Sequence, residues 1–196
     1  MINTLFEKTA IRDLYNEMRK SRIGLNFMGE VLNYPQPGFF GSYPCKYLFI
    51  GQNPAVPKLD KNPSDKVLMD FNSSNEEHHN ACEESQKNWH FYKYYIKKII
   101  GDSNDFSIIN IVFYPTLENK APSHDLIFEC GKYLKLLIDA IKPKNIICVG
   151  NIASQEVENL KLNNINVIKS KHYSWLMRQF KQVFEKEINM IINKLE

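Results

Sequence analysis

Apolar residues recur along this chain in short unbroken runs that alternate with stretches of helical period. Leu5, Ile11, Leu14, Tyr15 and Met18 keep the helical spacing over residues 3–20 and predict an amphipathic opening helix. Gly24 to Pro44 holds three prolines and four glycines and reads as an irregular connector. Lys46–Ile50 (KYLFI), stopped by Gly51, suits a buried strand, and Gln52 to about Asn75 is a long polar loop. Lys87–Ile100 reads as a helix and Asp105–Phe113 (DFSIINIVF) as a second strand. Ser123 caps a helix to about Ile141, with Ile127, Cys130, Leu134, Leu137 and Ile141 on one stripe. Lys144–Val149 (KNIICV) is a third strand ended by Gly150, and Asn166–Ile168 is a short fourth. Leu176, Phe180, Val183, Phe184, Ile188, Ile191 and Leu195 share one helical period, which predicts a long closing helix.

Strands that are apolar throughout, rather than alternating, are covered on both faces. Interleaved with helices, they predict a single α/β domain over residues 1–196, a three-layer α/β/α sandwich around a parallel sheet of about four strands. Ligands of such sheets sit beyond the carboxyl ends of the strands. Here those ends are Gly51–Pro57, Tyr114–Lys120, Gly150–Ala153 and Ser170–Leu176.

With 43% hydrophobic and 24% charged residues among 196, the composition is that of an ordinary globule and excludes a disordered or collagen-like chain. The apolar run Phe106–Phe113 falls far short of the roughly 20 residues of a membrane span. Glu7 and Arg12 interrupt the first stripe, unlike a signal peptide, so a soluble cytoplasmic protein, working as a monomer, is expected. Cys45, Cys82, Cys130 and Cys148 form no CxxC pair, and the expectation is buried free thiols and no metal or other cofactor. His78, His79 and Cys82 lack an evident fourth ligand, and Ser123-His124-Asp125 suits a helix cap better than a triad. The net charge is only +3, yet Lys93, Lys97 and Lys98, and again Lys161, Lys169 and Lys171, lie in stretches without acids. These are either solvated surface or a face for a polyanion.

Chemistry is sought at the strand ends. Gly51-Gln52-Asn53-Pro54-Ala55 follows the first strand; it is either an ordinary turn or a stiff loop aiming N–H groups and the Asn53 amide at one spot. Asn110 stands among Ile108, Ile109, Ile111 and Val112, and a buried amide left unbonded costs about 1–3 kcal/mol. It is satisfied by loop backbone or held ready for a ligand. His172 opens Tyr173-Ser174-Trp175-Leu176 after the fourth strand, a set that either anchors the last helix or meets a partner.

In order and spacing these segments resemble the uracil-DNA glycosylase superfamily, over roughly Tyr47 to Leu176. Gly51–Ala55 looks like the first motif, GQDPY in the uracil-specific branch and G-x-N-P-G in others. Asn110 is similar to the strand asparagine that reads the pyrimidine edge. Glu129–Leu134, Lys142–Ile147 and Val149–Ala153 look like pieces of the thermophilic branch, and His172-Tyr173-Ser174-Trp175 resembles the closing H-P-S-P motif. There are departures. Tyr173 and Trp175 replace both prolines, only Cys130 aligns with one of the four cysteines of the iron–sulfur branch, and the first aromatic after Asn53 is Phe71, eighteen residues on.

The resemblance implies a monofunctional DNA glycosylase that flips a pyrimidine out of the stack and hydrolyses its N-glycosidic bond. Asn53 would hold the water, the Gln52 N–H and His172 would stabilise the departing base, and Asn110 would select it. Phe71 would meet the base, its spacing from Asn53 calling for an insertion or a different stacking partner, and Ala55, where the uracil-specific branch has tyrosine, would leave the C5 position open. Lys171, Tyr173, Ser174, Trp175 and Leu176 would meet the DNA, an apolar side chain filling the gap. Two alternatives stand beside this reading: a glycosylase of hypermodified viral pyrimidines acting in phage defence, and a catalytically silent nucleic-acid-binding member of the fold.

Overall fold

The structure, a computed structural model, describes residues 13, 14, 17, 18, 20, 21, 23, 27, 38–40, 44–54, 90–116 and 120–195. Five strands make one sheet: β1 (Phe39–Phe40), β2 (Tyr47–Gly51), β3 (Phe106–Asn110), β4 (Asn145–Val149) and β5 (Asn166–Ser170), in the order β1-β3-β2-β4-β5. β3, β2, β4 and β5 are parallel, as their unbroken apolar runs predict. The two-residue β1 adds an antiparallel edge to β3 inside the expected connector.

Side chains leave a strand on alternate faces, which divides the core in two. Leu48 and Ile50 of β2, Ile109 of β3 and Ile146 and Cys148 of β4 point to one face. There they meet Met18, Ile23, α2 (His124–Ile141) and α3 (Asn151–Asn159). Phe49, Phe106, Ile108, Ile147, Val149 and Ile168 point to the other. They meet a π-helical turn (Tyr92–Ile96), α1 (Lys97–Ile100), α4 (Tyr173–Leu176) and α5 (Lys181–Ile192). This is a three-layer α/β/α sandwich. Each fully buried Leu, Ile or Phe contributes roughly 1.5–3 kcal/mol, so both faces hold the sheet.

Local chemistry sets the element ends. Ser123 caps α2, its hydroxyl accepting from the Leu126 N–H at 3.3 Å, and α2 stops at Lys142 in a left-handed conformation just before Pro143. Three expectations are corrected. β3 ends at Asn110, and the chain bends through Ile111–Phe113 rather than continuing the strand. The helix before it runs from His90 to Ile100 but carries a π turn, Tyr92–Ile96, within it. The long closing helix is two helices, α4 and α5, parted by Met177–Phe180, where the Arg178 and Gln179 N–H groups donate three residues back to Trp175 and Leu176. No described helix is long and apolar enough to cross a membrane.

Candidate active site

Gly51 ends β2 opposite Asn110, which ends β3. A Cβ at position 51 would lie 2.6 Å from Asn110 Oδ1, so only glycine lets the amide fold across the strand end. Asn110 is half-buried, and its amide has no hydrogen-bond partner among the described residues.

The Asn53 amide is oriented by a chain of bonds. Its Nδ2 donates to Thr116 Oγ1 at 2.9 Å and to Pro54 O at 3.3 Å. The buried Thr116 hydroxyl spends its own proton on Lys120 O, at 2.5 Å, so it can only accept from Asn53. That fixes which end of the amide is oxygen. Asn53 Oδ1 takes one bond from the Gln52 side-chain amide at 3.0 Å and keeps acceptor capacity for a water. The Gln52 and Ile111 region is tied together by the Ile111 and Val112 N–H groups, which donate to Gly51 O and Gln52 O. Thr116 was not singled out by sequence; a lone threonine in a loop carries no signal until the fold brings it to Asn53, 63 residues earlier.

His172 follows β5 and caps α4. The Ser174 N–H, which can only donate, points at its Nδ1 at 3.3 Å, with Ser174 Oγ 2.7 Å from the same atom. Nδ1 is therefore the acceptor, and the ring proton sits on Nε2. Partial burial, and then the positive charge of Arg178, lower the imidazole pKa from its usual 6.5. At neutral pH His172 is a neutral Nε2–H donor. One side of the ring packs against Gly150: a Cβ there would stand 3.3 Å from His172 Cδ2, and Gly150 has φ of +102°, so that position is glycine on two counts.

Around His172 the surface is mixed. Lys171 Nζ lies 4.7 Å from the centre of the Trp175 ring, and Trp175 is 38% exposed. Ser174 is exposed, and Arg178 Nε donates to its carbonyl at 3.1 Å. Leu176, expected to reach DNA, is fully buried on the second face of the sheet, because α4 turns it inward while Trp175 turns out. Tyr173 is also turned inward, half-buried against Phe91 with ring centres 4.6 Å apart. Met177 and Phe180, the latter 86% exposed, lie on the surface instead; no glycine or proline marked the break that puts them there. The lysine-rich stretches are thinned by pairing: Lys97 meets Asp102 at 2.6 Å and Lys169 pairs with Glu158. Ala55 and Phe71, and with them His78, His79 and Cys82, lie outside the described residues.

A family model, Uracil DNA glycosylase superfamily, matches residues 37–196, most of the chain. The chain belongs to that superfamily. A type-4 uracil-DNA glycosylase of Archaeoglobus fulgidus is 32% identical over 72 residues, which cover 35% of this chain and about a third (36%) of that relative's length. Among the described residues, Cys45, Cys130 and Cys148 are buried free thiols that do not gather into a set fitting the iron–sulfur centre of one branch of the superfamily. Burial pushes the Cys45, Cys130 and Cys148 thiols up to about 12, and no three metal-binding side chains cluster among the described residues.

Proposed function

We propose that this member of the superfamily is a monofunctional DNA glycosylase acting on a flipped-out pyrimidine. The observation that carries this reading is the set of three differently prepared groups at the carboxyl ends of one sheet. Asn53 offers a fixed acceptor, Asn110 an amide without a partner among the described residues and His172 a neutral donor. Each suits one need of N-glycoside hydrolysis. As the bond between C1′ and the base breaks, its electron pair leaves with the base and negative charge grows on a base oxygen. The His172 Nε2–H is a donor for that oxygen, strongest where charge develops. The sugar becomes electron-poor, and a water held by Asn53 Oδ1 adds at C1′, giving its proton up to solvent. The Asn110 amide matches the donor and acceptor edge of a pyrimidine. Among the described residues, Lys171 lies beside His172 with its ammonium over Trp175, and Lys120 meets the Asn53 site through its carbonyl, so hydrolysis rather than a Schiff-base step is favoured.

Ala55 favours a second, wider reading of the substrate. It stands in sequence where the uracil-specific branch carries tyrosine, so substituted pyrimidines, including those of viral DNA, enter the proposed substrate class. The test is abasic-site formation on matched oligonucleotides carrying uracil, mispaired thymine, 5-hydroxymethylcytosine or its glucosylated form. Cleavage of at least one, slowed by about 10²–10³ in Asn53→Ala, is expected. Binding without cleavage of any would make the protein a silent DNA-binding member, and cleavage of uracil alone would close the C5 reading.

A further inference from the structure

One fully buried tyrosine touches the His172 segment at both of its ends. The Ser170 hydroxyl donates to Lys171 O at 3.0 Å, so in its 2.5 Å bond with the Tyr95 hydroxyl the tyrosine is the donor. The Tyr95 ring lies 6.5 Å from the ring of Tyr173, and it stacks at 5.4 Å and 18° on Phe91, which itself stands 4.6 Å from Tyr173. The Tyr173 ring is 5.2 Å from the His172 imidazole. Ser170 and Tyr173 are thus pinned to one side chain, and Lys171 and His172 are the two residues strung between them. Tyr95 belongs to the π-helical turn Tyr92–Ile96, an uncommon conformation that recurs at functional sites. Packing alone would be served by phenylalanine, since a buried hydroxyl costs free energy unless it is bonded. Neither residue 173 nor 175 is proline, so this loop is fixed by backbone hydrogen bonds (Lys171 N–H to Glu187 Oε1 at 2.9 Å, Trp175 and Leu176 N–H to His172 O) together with side-chain packing.

We propose that Tyr95, with Tyr173, is a positioning residue that clamps the Ser170–Tyr173 segment and holds the His172 imidazole at the site. Its catalytic consequence rests on the glycosylase reading; the clamp itself does not. The first measurement is therefore independent of turnover: the imidazole nitrogen spectrum of the free, full-length protein at pH 7.5, with the His172 signals assigned by His172→Gln. The wild type gives one Nε2–H tautomer. Tyr95→Phe, which removes a single oxygen from a stacked ring, and Tyr173→Ala move those signals toward the averaged values of a mobile histidine. Tyr173→Phe, which keeps the ring, leaves them at the wild-type positions. The second measurement is kinetic, on the oligonucleotide that is cleaved best. Tyr95→Phe lowers kcat about tenfold or more and leaves KM within about twofold, as expected when a donor is misplaced while DNA binding is untouched. An unchanged His172 spectrum in both Tyr95→Phe and Tyr173→Ala overturns the clamp whether or not DNA is cut, as does a change in KM alone. A disturbed spectrum in a protein that cleaves no base supports the clamp and removes only the glycosylase reading.

Discussion

Asn53 and His172 sit beyond β2 and β5, with only β4 between their strands, yet the fold holds them by different forces. At Asn53 the hold is directional: a hydrogen-bond chain runs from Gln52 through the amide to Thr116 and Lys120 O. At His172 one bonded pair with Ser174 is backed by surfaces, Gly150 on one side and the aromatic group of Tyr173, Phe91 and Tyr95 on the other. A directional hold fails when one atom is removed. The packed part of the His172 hold survives changes that keep its shape and fails when bulk is added or deleted, and only its Tyr95–Ser170 bond is sensitive to the loss of a single atom.

The two halves part company most clearly in what they tolerate. The largest effects come from the functional groups themselves. Asn53→Ala and His172→Ala should each lower kcat by about 10²–10³ while DNA affinity stays within about twofold; single-turnover cleavage beside a binding titration measures both. Next comes added bulk on the packed side. Gly150→Ala places a methyl against His172 and forces a non-glycine residue to φ of +102°, which should cost about 1–3 kcal/mol in urea unfolding and reduce turnover. Single-atom chemistry on the bonded side is milder. Thr116→Val keeps the shape and removes the acceptor, for about a tenfold loss of kcat, whereas Thr116→Ser keeps the hydroxyl and most of the rate. Equal losses in the valine and serine variants would erase the distinction between the halves.

The smallest expected effect is on pH. The folded-state pKa of His172 lies below 6.5, so the unfolded chain binds the proton first as pH falls. The stability that neutral His172 contributes is present above pH 6.5 and is lost as pH falls through the folded pKa. Urea midpoints taken between pH 7.5 and 5 should fall less steeply in His172→Gln than in the wild type. Matching slopes would place the loss on other groups.

Several features were legible from one-dimensional pattern because their causes are local. The four parallel strands follow from short apolar runs, although Asp105–Phe113 overshoots β3 and Asn166–Ile168 falls short of β5, and Ser123 caps α2 through a bond to an amide three residues away. Asn53, Asn110 and His172 were legible as candidates because a polar group just past an apolar strand falls where parallel sheets bind ligands. The burial of Leu176 was not legible. It depends on where α4 ends, and the break after it arises from three-residue backbone bonds and packing, with no glycine or proline to announce it. Nor was the pairing of Lys169 with Glu158, which lies on a different element.

By itself the sequence determined the succession of the four parallel strands with helices between them and the identity of the polar groups at their carboxyl ends, since these follow from periodicity and from neighbours along the chain, whereas the edge strand β1 and the order β1-β3-β2-β4-β5 came only with the fold. Only the tertiary structure decided how those groups are prepared. Thr116 is 63 residues from Asn53, Tyr95 is 75 from Ser170, and Gly150 meets His172 across β4 and β5. An amide's orientation and an imidazole's proton are set by partners within about 3 Å, and such partners are chosen by the folded chain rather than by adjacency in sequence.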